Sequence, residues 1–219
     1  DRYEMFAAVC AAIPFNIKLI HLHGGETTLG AIDNTFRHCI TAASTIHFTS
    51  SSAHSKRVSQ IINSQKNVFN VGALSLDNLK ILPLLSAEEF KNKFAIDLNK
   101  SSVLFTFHPE TVNHAKNKFY ITEIISALKK LKIQIIITAP NNDTGSEVIV
   151  NALKTFVSKN KNAFWVSNFG TQGYFTCLSH CKFVMGNSSS GILEAASFGK
   201  YVINLGERQR GRMAGKNVL

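Results

Sequence analysis

Several things are scarce or missing in this 219-residue chain, and each absence removes a class of protein. Its four cysteines are Cys10, Cys39, Cys177 and Cys181, with no Cys-x-x-Cys pair among them. Cys177 and Cys181 have the spacing of one helical face, so neither a zinc site nor a disulfide framework is expected. Buried free thiols in a reducing, cytoplasmic setting are expected instead. No apolar run approaches the ~20 residues needed to span a bilayer, and the first residues lack a basic region followed by a long hydrophobic one. No membrane association is therefore expected. No internal repeat or low-complexity tract is present.

Acidic residues are also scarce, at 14 against 24 lysines and arginines, for a net charge of +10. Most lysines are scattered singly or as short groups, such as Lys129, Lys130 and Lys132 or Lys159 and Lys161, on the polar faces of expected helices. No basic run is interleaved with aromatics, so a solvated surface is expected and no nucleic-acid partner. The remaining cations of interest, Arg2, Arg208, Arg210 and Arg212, lie in or beside motifs.

Hydrophobic residues make up 45% of the chain, ample for a core. Helical spacing over Tyr3–Ala12 ends at Pro14. Ile17–Leu22 then reads as a buried strand that carries His21 and His23 to its far end, and Gly24 and Gly25 turn the chain. Asp33 opens a helix with Phe36, Ile40 and Ala43 on its apolar face, followed by a strand at 45–49, a helix at 53–62 and a strand at 68–71. The pattern loosens over 73–100. From Val103 it resumes, with strands at 103–107, 133–138, 163–166, 182–185 and 201–205 and helices at 118–131, 145–158, 171–180 and 191–198. Strands alternating with helices imply parallel sheets. The expected class is α/β, with two doubly wound Rossmann-like domains and a ligand cleft between them, the first domain incomplete. The expected divisions are 1–72, a linker at 73–100, and 101–219. Ligands of such sheets bind at the carboxyl ends of the strands.

The most informative stretch is Val184-Met-Gly-Asn-Ser-Ser-Ser-Gly-Ile-Leu-Glu194. It reads as strand, polar loop and helix, and a helix start lined by serines and glycine offers backbone N–H groups to a phosphate. Glu194, about one turn into that helix, could accept hydrogen bonds from ribose hydroxyls. Ser and Gly before a helix serve equally as an ordinary cap. Glu194 is four residues after Ser190, one too many for a capping box with that serine. His21 and His23, two apart on a strand, would face one side and could hold a metal with Glu26 nearby, which keeps a metal-dependent hydrolase in view. No further His/Asp cluster has ligand spacing, so no metal is expected.

The motifs Gly186-Asn-Ser-Ser-Ser-Gly-Ile-Leu-Glu-Ala195 and Ile203-Asn-Leu-Gly-Glu-Arg-Gln-Arg-Gly-Arg212 resemble those of the hydrolysing UDP-N-acetylglucosamine 2-epimerases, which initiate sialic acid and related nonulosonate synthesis. Asp1-Arg-Tyr-Glu4, His21-Leu-His-Gly-Gly-Glu-Thr-Thr28 through Asp33, Arg37-His38, and His108-Pro-Glu-Thr111 match the same family in the same order. Family chains are longer at both ends, so the sequence is expected to be a fragment. The resemblance implies a glycosyltransferase-B-like fold. It also implies elimination of UDP to a 2-acetamidoglucal followed by water addition, with no nicotinamide and no obligatory metal, hence no cofactor. A UDP-amino sugar is the implied partner, and a dimer or tetramer the implied assembly.

Carried over motif by motif, the resemblance implies that Asp1, Glu26 and Asp33 are the acids for proton transfer and that His108 contacts the diphosphate or assists proton transfer. Arg2, Ser188, Ser189, Glu194 and Arg208 are the implied UDP-binding residues, with His23, Arg37 and Asn187 as secondary candidates. Some relatives carry an acid at the position of His23, which leaves open whether Glu26 or His23 takes that role. Asp33 also suits the cap of its own helix, and Arg37 a helix surface. Asn141–Gly145 suits either a nucleotide neighbourhood or a turn and cap. The implied reaction converts UDP-N-acetylglucosamine and water to N-acetylmannosamine and UDP. The alternatives are the same chemistry on UDP-2,4-diacetamido-2,4,6-trideoxyglucose, for legionaminic acid, and a catalytically silent nucleotide-sugar-binding module.

Overall fold

A computed structural model describes residues 2–219 and divides them into two compact units. The first comprises residues up to Lys80 together with Arg210–Arg212, and the second comprises Ile81–Gln209 and Met213–Leu219. The stretch expected to be a linker is thus divided. Its later half packs into the second unit, where Phe90, Ile96 and Leu98 are buried.

The first unit begins with helix α1 (Tyr3–Ala12), a 3-10 turn and strand β1 (Ile20–Leu22). Helix α2 (Asp33–Ala43), β2 (Ile46–Thr49), α3 (Ser52–Ile61) and β3 (Val68–Asn70) follow, then the short α4 (Asp77–Ile81), whose last residue belongs to the second unit. The three strands form a parallel sheet in the order β1-β2-β3. Two features differ from expectation. β1 is three residues long, and Ile20 and Leu22 on one of its faces are 58% and 50% exposed, while His21 on the other face is buried. Asp33 is the first residue inside α2 and Ile32 holds the cap position, so the expected cap is displaced by one residue.

The second unit has helix α5 (Ala87–Phe94), strand β4 (Ser102–Thr106), α6 (Asn117–Leu128), β5 (Gln134–Thr138), α7 (Ser146–Ser158), β6 (Ala163–Val166), α8 (Gly170–His180), β7 (Phe183–Gly186), α9 (Ser189–Leu193) and β8 (Val202–Asn204). The start of α5 is fixed by a capping box in which Ser86 and Glu89 satisfy each other's backbone N–H. All pairings are parallel and the order is β6-β5-β4-β7-β8.

β4 and β5 are buried on both faces, as parallel strands covered by helices on each side must be. Because side chains alternate along a strand, Val103, Phe105, Ile135 and Ile137 pack against Ile121, Ile124, Leu128, Ile149, Leu153 and Phe156 of α6 and α7. Leu104 and Ile136 point the other way, into a cluster with Phe90, Leu98, Cys177, Leu178, Cys181 and Val202. Burial raises both thiols well above the ordinary range, so these cysteines are inert packing groups. Cys10, by contrast, is exposed and Cys39 half-buried.

β4 is central, and the chain steps from it to β5 and β6 on one side, then returns to β7 and β8 on the other. That reversal is a topological switch point between β4 and β7, where the carboxyl ends of neighbouring strands diverge and leave room for a ligand.

Candidate functional site

The sequence-predicted residues His108 and Asn187 lie at the switch point of the second unit. β4 ends at Thr106, two residues before His108, and β7 ends at Gly186, next to Asn187. Gly186 has φ +137°, and a Cβ there would overlap the Thr106 carbonyl oxygen, so only glycine lets the strand ends approach this closely. Asn187 is fully buried. Its Oδ1 accepts from the His108 backbone N–H at 2.6 Å, its Nδ2 donates to the His108 carbonyl at 2.9 Å, and its own N–H donates to the Thr106 carbonyl at 3.0 Å. Asn187 therefore clamps the backbone of His108.

The imidazole is fixed separately. The Asn141 backbone N–H donates to His108 Nδ1 at 2.9 Å, so a neutral ring carries its proton on Nε2. The Asn141–Gly145 turn thus supports His108, and Gly145 also caps α7. In the same turn, an Asp143 carboxylate oxygen lies 3.9 Å from Nη2 of the buried Arg208.

Ser188 caps α9 and its hydroxyl accepts from the Ser190 N–H at 3.3 Å, the ordinary capping bond. α9 has only five residues, and Glu194 lies at its C-terminal cap rather than one turn inside a longer helix. The expected helix at 191–198 breaks there because the backbone tightens into a 3-10 turn at Ala195–Phe198. Ser188, Ser189 and Glu194 are each partly exposed.

In the first unit, Glu26 is the centre of a buried polar cluster. His23 Nδ1 lies 3.0 Å from Oε1, Ser50 Oγ donates to the same oxygen at 3.1 Å, and Arg212 Nη1 donates to Oε2 at 2.7 Å. Burial alone would raise the Glu26 carboxyl, but the His23 hydrogen bond and the Arg212 charge outweigh it and hold the group at about 2. Glu26 is therefore ionised at neutral pH.

Arg37 is only 1% exposed, which removes the helix-surface alternative. Its Nη1 donates to the Glu26 carbonyl at 3.2 Å and to Thr28 Oγ1 at 3.1 Å, tying down the loop that carries Glu26. Asp33 begins α2 in the same unit, and electrostatic attraction from it reaches Arg37. Arg2 caps the start of α1 and pairs with Glu4 at 3.2 Å. Asp1, expected to be one of the acids, lies outside the described residues.

His21 and His23 do not share a face. His21 is buried on β1 beside Thr41 Oγ1, whereas His23 lies beyond the strand with φ +61°, where the backbone reverses the alternation. Burial, aided by nearby positive groups including His47 and Arg37, lowers His21 to about 4, so it is neutral at physiological pH. Ser50, His54, whose Nδ1 lies 2.9 Å from Ser50 Oγ, and Arg212 belong to the Glu26 cluster but were missed as site residues. Arg212 alone carried a signal, by its place in the Arg-rich motif.

A doubly wound parallel sheet, with polar groups gathered where its strands diverge, defines an α/β protein of the Rossmann-like class. Residues 1–219 match the family model described as UDP-N-acetylglucosamine 2-epimerase, and the chain belongs to that family. It is 36% identical over 221 residues to the GDP/UDP-N,N'-diacetylbacillosamine 2-epimerase (hydrolyzing) of Campylobacter jejuni, a match covering 100% of this chain and 58% of that protein. It is 37% identical to the polysialic acid biosynthesis protein P7 of Escherichia coli, covering 100% of this chain and 56% of that protein. The crystal structure of UDP-GlcNAc 2-epimerase from Neisseria meningitidis bound to UDP-GlcNAc superposes with a TM-score of 0.76. It is 20% identical and covers 96% of this chain and 59% of that one, a likeness in fold. The chain thus spans 56–59% of the lengths of these proteins. Among the described residues no helix is long and apolar enough to cross a membrane.

Proposed function

We propose that the protein containing this chain is a hydrolysing 2-epimerase of a UDP-linked 2-acetamido sugar, with UDP-N-acetylglucosamine as substrate and N-acetylmannosamine and UDP as products. In this reading the second unit holds the nucleotide. Ser188 and Ser189 meet phosphate oxygens, Glu194 the ribose hydroxyls, and Arg208 the diphosphate, because guanidinium can engage two oxygens at once. The observation that carries the reading is the fixing of His108. With Nδ1 occupied by the Asn141 N–H, the ring offers an Nε2–H donor at the switch point, suited to the oxygen on which charge develops as the sugar–diphosphate bond breaks.

The acids Asp1, Glu26 and Asp33 serve proton transfer, and Glu26, being ionised, can accept but not donate a proton at neutral pH. Loss of the C2 proton to a base forms the C1–C2 double bond as the C1–O bond breaks and its electron pair leaves with UDP. Water then adds, its hydroxyl to C1 and a proton to C2 on the opposite face, which inverts C2. Arg37 holds the Glu26 loop throughout.

A second substrate is favoured by the name of the Campylobacter jejuni relative. UDP-2,4-diacetamido-2,4,6-trideoxyglucose would undergo the same elimination, because the reacting carbons carry the same groups. Incubating the full-length protein separately with each nucleotide sugar, in excess chelator, and following UDP release and the free sugar by NMR tests the reading. Release of UDP and a manno-configured sugar from one substrate supports it and selects the sugar. UDP binding without turnover of either would favour a binding module, and turnover only after metal is restored would favour a metal-dependent hydrolase.

A further inference from the structure

Glu110 takes no part in the roles assigned above, yet it is 1% exposed, and a carboxylate so buried needs defined partners. Its backbone is held by Asn117 at the start of α6. The Glu110 N–H donates to Asn117 Oδ1 at 2.9 Å, and Asn117 Nδ2 donates to the Glu110 carbonyl at 3.2 Å. The side chain reaches across the sequence, and its Oε1 accepts from the Glu207 N–H at 2.7 Å. Gly206, at φ +71°, packs directly on that carboxylate, and a Cβ there would overlap Oε1.

The residue after Glu207 is Arg208. On its other side, Gln209 Nε2 donates to the Asn187 carbonyl at 2.7 Å. The turn that carries Arg208 is therefore held at both ends, by Glu110 before it and by the Asn187 clamp after it.

We propose that Glu110 is a positioning residue for nucleotide recognition, its carboxylate holding the Gly206–Arg208 turn so that the Arg208 guanidinium faces the diphosphate. A hydrogen bond from a backbone N–H to a buried carboxylate is strong enough to select one turn conformation. The inference rests on the reading that Arg208 binds UDP.

The test measures UDP affinity by calorimetry, kcat and KM, and thermal unfolding in the full-length protein and its variants. Glu110→Ala should weaken UDP about 10- to 100-fold, the usual scale for losing a charged hydrogen bond. Glu110→Gln, whose Oε1 can still accept from Glu207, should restore most of the affinity. Acting through Arg208 has a further signature, in that adding Glu110→Ala to Arg208→Ala should cost almost nothing more. Gly206→Ala displaces the carboxylate without altering Glu110 and should also weaken UDP, which keeps the test decisive if Glu110→Ala fails to fold. Wild-type affinity in Gly206→Ala or in Glu110→Ala, or full additivity with Arg208→Ala, would overturn the inference alone. Failure of the wild-type protein to bind UDP would overturn it together with the proposed function.

Discussion

Arg212 Nη1 donates to Glu26 Oε2 at 2.7 Å across 186 positions of sequence, and both side chains are largely buried. The pair joins the last Arg-rich motif to the His-x-His-Gly-Gly-Glu motif within the first unit. Together with His23 it holds the Glu26 carboxyl at about 2 against the upward pull of burial. Replacing Arg212 by Ala removes a lowering influence, so the Glu26 pKa rises. In a pH profile of kcat/KM, which reports ionisations of the free enzyme, the acid limb should move to higher pH in Arg212→Ala and less far in Arg212→Lys. An unmoved limb would mean that Glu26 does not govern it.

His108 is expected to act through Nε2, since Asn141 occupies Nδ1. Glutamine places its amide near Nε2 and asparagine near Nδ1. His108→Gln should therefore retain more turnover than His108→Asn, with losses on the order of 10²- to 10⁴-fold typical of a proton-transfer or donor group. Equal loss in both would argue against the tautomer.

Arg208 offers a test on binding rather than chemistry. Arg208→Ala should weaken UDP by about 10- to 100-fold. Arg208→Lys should recover little of this, because an ammonium cannot reproduce a forked contact to two oxygens. Titration calorimetry with UDP reads both, and full recovery by lysine would reduce Arg208 to a diffuse positive charge.

The first unit should lose stability as pH falls from about neutral. His21 is lowered from 6.5 to about 4, chiefly by burial, and His47, wholly buried beside it at 6.5 Å between rings, is also lowered by burial. A histidine whose folded pKa is depressed contributes stability above its unfolded pKa, and that contribution is lost as pH falls from 6.5 towards 4. Glu26 adds a second acid loss, between 4.5 and about 2. Urea midpoints at pH 7.5 and 5 should differ for the wild-type chain, and His21→Gln should shrink the difference. An unchanged difference in that variant would remove His21 as a cause.

The strand and helix alternation was legible because each element carries its own hydrophobic run, and the β4–β5 residues alternate between two covered faces. What escaped were features set by non-local contact. The exposure of Ile20 and Leu22 depends on what packs on that face of β1, not on β1 itself. The positive φ of His23 separates it from His21, and nothing in His-Leu-His announces that turn. Glu194 looked internal to a helix because Ile192–Phe198 keeps an apolar rhythm across a break in backbone geometry. The roles of Asn187 as a clamp and Glu110 as a brace lie in bonds to backbone groups, which the side-chain pattern does not display.

The most direct test of the proposed chemistry follows the C2 proton. The full-length protein, in excess chelator and deuterated water, is given the nucleotide sugar that releases UDP, and the product is read by NMR. Elimination followed by water addition requires a C2-deuterated manno sugar formed together with UDP. A product that keeps its original proton at C2 would contradict elimination, whatever the rate of UDP release.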